Sequence, residues 1–302
     1  MSFLALLLRL ALLLALPPVL AGVIQRTKAI LAGRRGPPLL QPWYDVAKLL
    51  RKGAVYSRTT TVVFRAGPIV ALAATFTAGL LAPLGRTPGP LAFSGDLILL
   101  AALLGLARFA TVLAALDTGS SFEAMGGSRE VTFATLAEPA LFLALAVLAL
   151  SAGSASLGDI AARAGPGGPR LLLVVLALLV VVLVENARIP VDDPATHLEL
   201  TMIHEVMVLD HGGPDLAFIL YGSAQKLVVT GSLLVLPLLP PATGNPLLDL
   251  AIFVPAIVLL AVVVGVIESV MARLRLARVP LLLLGAGVSS ALAAILALAG
   301  RA

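Results

Sequence analysis

Apolar residues run through this chain in blocks of about 20, the length a helix needs to cross a hydrocarbon core of about 30 Å. The blocks fall at residues 2–24, 62–84, 96–117, 131–152, 170–189, 217–239, 247–270 and 279–299, and predict eight membrane spans within one transmembrane domain, 1–302. The first block is too long for a signal-peptide core, is interrupted by Arg9 and lacks a basic segment before it, so it reads as a signal anchor. The fourth block is the weakest, because Glu138 sits inside it. Seven spans would leave the functional argument unchanged.

Polar segments between the blocks predict structure of their own. Gly36-Pro37-Pro38 breaks the chain before LLQPWYDVAKLLRKG. There Leu39, Leu40, Trp43, Val46, Ala47 and Leu50 form an apolar stripe opposite Lys48, Arg51 and Lys52. This pattern predicts an interfacial amphipathic helix over 39–53, with Trp43 and Tyr44 at headgroup depth. Further on, Asp193 suits an N-cap, Pro194 a first helical position and Gly212-Gly213 a stop, predicting a short loop helix over 194–211. Between the third and fourth blocks, Ser120 to Glu130 reads as a glycine-rich turn carrying Glu123 and Glu130. No GxxxxGK pattern accompanies it, which favours a docking or gating loop over a phosphate cradle.

Composition agrees with a polytopic all-α membrane protein. The chain is 60% hydrophobic and 12% charged with a mean hydropathy of +1.07, against roughly 25% charged in soluble domains. It has no cysteine, which removes iron–sulfur ligation, disulfides and thiol nucleophiles from this chain's own repertoire. Its net charge of +5 is explained by orientation rather than by nucleic acid. With the N-terminus outside, the inner loops hold thirteen basic residues: Arg26, Lys28, Arg34, Arg35, Lys48, Arg51, Lys52, Arg58, Arg129, Arg188, Arg273, Arg275 and Arg278. The outer side holds four, Arg86, Arg163, Arg170 and Arg301. Both termini are therefore expected outside, with the charged loops cytoplasmic, in the cell (inner) membrane. No internal repeat supports an inverted-repeat fold, so a stand-alone secondary ion transporter is a remote alternative. No Ser–His–Asp order or HExxH pattern marks a hydrolase.

The densest polar segment is Glu185 to Gly213, which holds all three histidines. His197, His204 and His211 are spaced by seven, which places them roughly 10 Å apart along a helix, too far to share one metal ion. Ionisable residues also occur within the blocks: Arg108, Glu138, Glu185, Lys226 and Glu268. Facing lipid, each would cost at least about 2.5–3.5 kcal/mol, so they are expected to turn inward and pair. All five fall in the cytoplasmic half under the orientation above. Two readings fit them, a hydrated half-channel for protons and a set of structural interhelix salt bridges.

GPPLLQPWYDVAKLLRK (36–52), SSFEAMGGSRE (120–130) and ENARIPVDDPATHLELTMIHEVMVLDHGG (185–213) resemble the signature loops of one family. It is the membrane subunit of energy-converting [NiFe] hydrogenases and formate hydrogenlyases, homologous to NADH dehydrogenase subunit 1 of respiratory complex I. The resemblance covers essentially the whole chain. It leans to the hydrogenase side, because Gly36-Pro37-Pro38 runs straight into Leu39 without the Asn-Arg-Val-Gly-Pro insert of complex I relatives. It implies a non-catalytic subunit that binds no cofactor itself and carries no active site. Its expected partners are hydrogenase large and small subunits, a ferredoxin-like iron–sulfur subunit, antiporter-like membrane subunits and membrane lipid. The [NiFe] centre and [4Fe–4S] clusters are expected in those partners. By motif, Gln41, Asp45, Lys48, Arg129, Arg188, His197 and His204 would dock the peripheral arm. Glu123, Glu130, Glu138, Glu185, Asp192, Asp193, Glu199 and Glu205 would serve proton coupling, beside Arg108, Lys226 and Glu268. The alternative within the superfamily is the quinone-cavity subunit of a complex I-like oxidoreductase.

Overall fold

The computed structural model describes residues 3–163, 168–192 and 202–299, and among these it is helical with no sheet. The helices are α1 Phe3–Leu31, α2 Gln41–Leu50, α3 Val62–Leu81, α4 Asp96–Asp117, α5 Ser121–Ala152, α6 Leu157–Arg163, α7 Gly168–Glu185, α8 Gly213–Val235, α9 Pro246–Val270 and α10 Val279–Ala299. Among the described residues seven helices are long and apolar enough to cross a membrane, where eight blocks were expected. The remaining one, the expected fifth span, appears as α7. Its 18 residues give about 27 Å at 1.5 Å per residue, and it packs against α5, α8 and α10.

The long helices run up and down, so the α1–α3, α4–α5, α7–α8 and α9–α10 connections share one face, here the loop face. Contacts bear this out: Glu123 at the start of α5 accepts from the Asp210 N–H at 3.1 Å, and a Cβ on Gly213 would meet the Gly53 carbonyl at 2.7 Å. Without a hydrophobic drive between helices in lipid, close approach depends on small residues. Gly67 of α3 sits so near α4 that a Cβ would meet the Ala114 Cβ at 2.6 Å.

Three boundaries differ from the sequence reading, each for a physical reason. The first span continues to Leu31, because Lys28 finds an acidic partner inside the protein instead of ending the helix in solvent. Ser120 to Glu130 is not a turn but the N-cap and opening turns of α5. Its glycines are there for contact: a Cβ on Gly126 would overlap the Val206 side chain and meet the Ile203 carbonyl at 2.8 Å. The helix expected over 194–211 does not end as one, since residues 202–212 hold only a single 3₁₀ turn, Glu205–Val208. The Asp192 carboxylate draws off the Ile203 and His204 N–H groups at 3.2 and 3.0 Å, which competes with helical pairing. His204 and His211 therefore do not share a helix face. Asp193, His197 and Glu199 lie outside the described residues.

The amphipathic helix spans Gln41–Leu50 rather than 39–53, and it leans into the bundle. Tyr44 stays exposed, but Trp43 turns inward, donating from Nε1 to the Ala15 carbonyl at 3.3 Å and meeting the Tyr221 ring edge-on at 6.1 Å. That tyrosine is itself fixed by α1. Pro18 has no N–H for the Leu14 carbonyl, and the Tyr221 hydroxyl supplies the missing donor at 2.8 Å.

Candidate functional site

Apolar sequence on both sides obliges α4 to carry Arg108 nine residues, or about 13 Å, below its loop-face end. A guanidinium there needs acceptors. Glu130 and Glu138, eight residues apart, come from one side of α5, and Glu185 ends α7. Arg108 Nη1 bonds the Glu138 carboxylate, Nη2 bonds Glu185, and Nε lies 3.2 Å from Glu130 Oε1. Lys226 of α8 approaches the second Glu185 oxygen, 3.8 Å away. Three carboxylates thus surround one guanidinium and one ammonium. Their settings differ: the Glu185 side chain is 2% exposed, that of Glu138 44%. A small cavity beside Glu138, between α4 and α5, opens onto the same arginine.

A second ionic group lies nearer the loop face. The buried Glu268 carboxylate of α9 is held by Lys28 of α1 at 2.8 Å and by Arg188 at 3.3 Å. Arg273 donates to Asp192 at 3.0 Å. His204 sets its Nε2 3.3 Å from the Ser223 hydroxyl of α8. Burial, then the nearby Lys226 and Arg188 charges, lower the His204 pKa to about 4, which keeps the ring neutral at pH 7. His211 is also pushed below its ordinary value by burial, and its ring stacks on Phe64 at 3.9 Å.

The residues expected to couple ions thus divide. Arg108, Glu130, Glu138, Glu185 and Lys226 form one contiguous group, with Asp192 and Glu268 in the layer above it. Glu123 stands apart, tying α5 to the loop through the Asp210 N–H, and Glu205 lines a loop-face cavity. Of the residues expected at a docking surface, Gln41 and Asp45 bond each other at 2.9 Å on exposed α2, and Lys48 is exposed beside them. Arg129, Arg188 and His204 instead face inward, Arg129 onto the Met202 carbonyl at 3.0 Å. Sequence reasoning missed Lys28, Arg273 and Ser223 as members of the ionic layer. Lys28 was legible as a cation on a helix continuing past its apolar block; the other two carried no signal before the chain folded.

The family model described as NADH dehydrogenase matches residues 3–299. The chain belongs to that family. Within it, Hydrogenase-4 component C of Escherichia coli is 35% identical over 87% of this chain and 85% of its own length. Formate hydrogenlyase subunit 4 of the same organism is 32% identical over 91% and 92%. An NADH-quinone oxidoreductase subunit of Salinibacter ruber is 27% identical over 58% and 55%. The fold matches a chain in the structure of the membrane-bound sulfane sulfur reductase, an archaeal respiratory membrane complex. That likeness has a TM-score of 0.82 at 22% identity and covers 97% of this chain and 98% of that one. The relatives above 30% identity are thus hydrogenase and formate hydrogenlyase subunits, the side of the family that the loop motifs resemble. This member of the NADH dehydrogenase family carries no thiolate to hold a cluster, and among its described residues no three His, Asp or Glu side chains converge on one metal position.

Proposed function

We propose that this chain is the membrane-anchoring and ion-coupling subunit of a hydrogenase or formate hydrogenlyase-type complex. Its loop face docks an iron–sulfur peripheral arm, and its intramembrane carboxylates link the arm's redox cycle to proton or sodium movement. The loop face is cytoplasmic and both termini lie outside. The [NiFe] centre and [4Fe–4S] clusters belong to the arm, and the polar axis continues from the Glu138 side into antiporter-like subunits.

The observation that carries this reading is the single Arg108 guanidinium shared among Glu130, Glu138 and Glu185 at membrane depth. Such an arrangement has alternative pairings. With Arg108 and Lys226 charged, three ionised carboxylates leave one negative charge uncompensated, so one proton neutralises the group. An electron arriving beyond the loop face adds negative charge, raises carboxylate proton affinity and draws that proton in. Electron removal releases it. Which carboxylate holds the proton, and to which side it leaves, is then set by which one Arg108 keeps.

The test is to substitute Glu185→Gln and Glu138→Gln separately in the assembled complex and measure electron turnover beside ion uptake in sealed vesicles. Both are expected to keep the arm and lose most ion uptake per electron. Unchanged uptake in an intact complex would end the coupling reading. A second reading, a quinone-binding subunit, is favoured by a cavity of about 330 Å³ between α1, α2 and α8. A photoreactive quinone analogue labelling α1, α2 or α8 would support it.

A further inference from the structure

Two cavities meet at His204, Ser223 and Ile219. The larger, about 330 Å³ at the loop face, is lined by Lys28, Asp192, His204, Glu205, Ser223 and Glu268 among others. The smaller, about 40 Å³ and deeper, is lined by Arg108, Glu130, His204, Ser223 and Lys226 among others. A water needs roughly 10–15 Å³ of such space and polar partners, so the deeper cavity can hold water between Ser223 and Glu130. Among the described residues His204, Ser223 and Ile219 line both cavities, and the first two face each other at 3.3 Å. A route past Asp192 is less open, because Arg273 and two backbone N–H groups already occupy its carboxylate.

We propose that His204 is the relay through which protons pass from the loop-face cavity to the carboxylates around Arg108, with Ser223 as its hydrogen-bonded partner. This rests on the coupling reading above and names the entry point to the same site. In the inward direction a hydronium in the large cavity gives its proton to the unprotonated ring nitrogen of His204. The imidazolium gives up its other ring proton toward Ser223. That hydroxyl accepts one proton while passing its own to water in the deeper cavity, and the water delivers one to the Glu130 carboxylate. One N–H bond forms and one breaks at His204, one O–H bond forms and one breaks at Ser223, and no electrons move. The ring returns to neutral with its proton on the other nitrogen and flips before the next passage. Lys226 on α8 and Arg188 on the loop oppose a resting imidazolium, Asp192 holds the backbone N–H of the same residue, and Glu130 on α5 is the acceptor. The resulting low proton affinity of the ring speeds release inward. The backbone N–H groups of residues 203 and 204 bind Asp192, and replacing the ring leaves that anchor in place.

The complex isolated from its native membrane and reconstituted in liposomes with an internal pH indicator tests this. His204→Gln should cut proton uptake by about 10²-fold, while electron turnover measured with a protonophore stays at the wild-type rate. His204→Ala should regain uptake when imidazole is added, since the adjoining cavity admits a free ring; a loss from a purely structural cause would not recover. Ser223→Ala should slow uptake in the same direction. Wild-type uptake in His204→Gln overturns the relay, as does a defect that imidazole leaves untouched, or sodium uptake without proton movement in the wild type. Loss of the arm from the variant assigns His204 to docking and also overturns it. Glu185→Gln in the same liposomes separates the two readings. If it uncouples and His204→Gln does not, the entry point is wrong and the coupling stands; if neither uncouples, both fall.

Discussion

Arginines are buried at both ends of this bundle, and they keep different company. Near the loop face Arg108 is shared among Glu130, Glu138 and Glu185. At the opposite end Arg9, 1% exposed, donates to the carbonyls of Ala82 and Thr87 and to the Thr87 hydroxyl. Arg86 donates to the carbonyls of Ala161, Leu239 and Pro240. Carbonyls at helix ends are orphaned acceptors with partial negative charge. They satisfy a guanidinium but cannot take up a proton in the working pH range. The two far-end arginines are therefore clamps on acceptors that do not titrate, whereas the acceptors around Arg108 are carboxylates. All three arginines are largely buried, so what distinguishes the ends is the titratability of the acceptor.

Substitutions that break this contrast have ordered effects. The largest is expected from Arg108→Ala, which strands buried Glu185 and Glu130. It should cost about 3–5 kcal/mol, read as loss of assembled complex or of resistance to thermal unfolding, and partly recovered at low pH where the carboxylates protonate. Arg86→Met leaves carbonyls unpaired but strands no charge. It should cost about 1–3 kcal/mol in the same assay, with ion uptake per electron unchanged in the surviving complex. If Arg86→Met also uncoupled the complex, the division between clamp and coupling group would be wrong. The effect that is smallest at neutral pH concerns His204. Its folded pKa of about 4 lies below the ordinary value of about 6.5, so folding favours the neutral ring. Its contribution is complete above pH 6.5 and is lost as pH falls toward 4. A thermal-unfolding series across that window should show a shallower decline in His204→Gln than in the wild type.

The apolar blocks located the long helices well, because crossing lipid imposes a length and a composition that any fold must honour. Their ends were less legible. Hydropathy placed the start of the fourth span at residue 131, yet the helix begins at Ser121. Ser128, Arg129 and Glu130 look like loop residues until Arg129 is seen to serve the Met202 carbonyl and Glu130 to face Arg108. Likewise the cap signals at Asp193, Pro194 and Gly212 suggested a helix that runs to 211. A neighbouring carboxylate, Asp192, took the N–H groups such a helix would have used, and local propensity yielded to a tertiary bond.

By itself the sequence determined the membrane setting, the inventory of ionisable groups within the spans, the absence of thiolate ligands and the loop motifs that mark the family. Each follows from composition or local order. Only the tertiary structure decided that Arg108 is shared among acids of two other helices, that Lys28 reaches Glu268, and that His204 stands between two cavities. Those ion pairs join residues from 22 to 240 positions apart. A buried charge dictates that a partner exists, and which partner it is depends on how the helices pack.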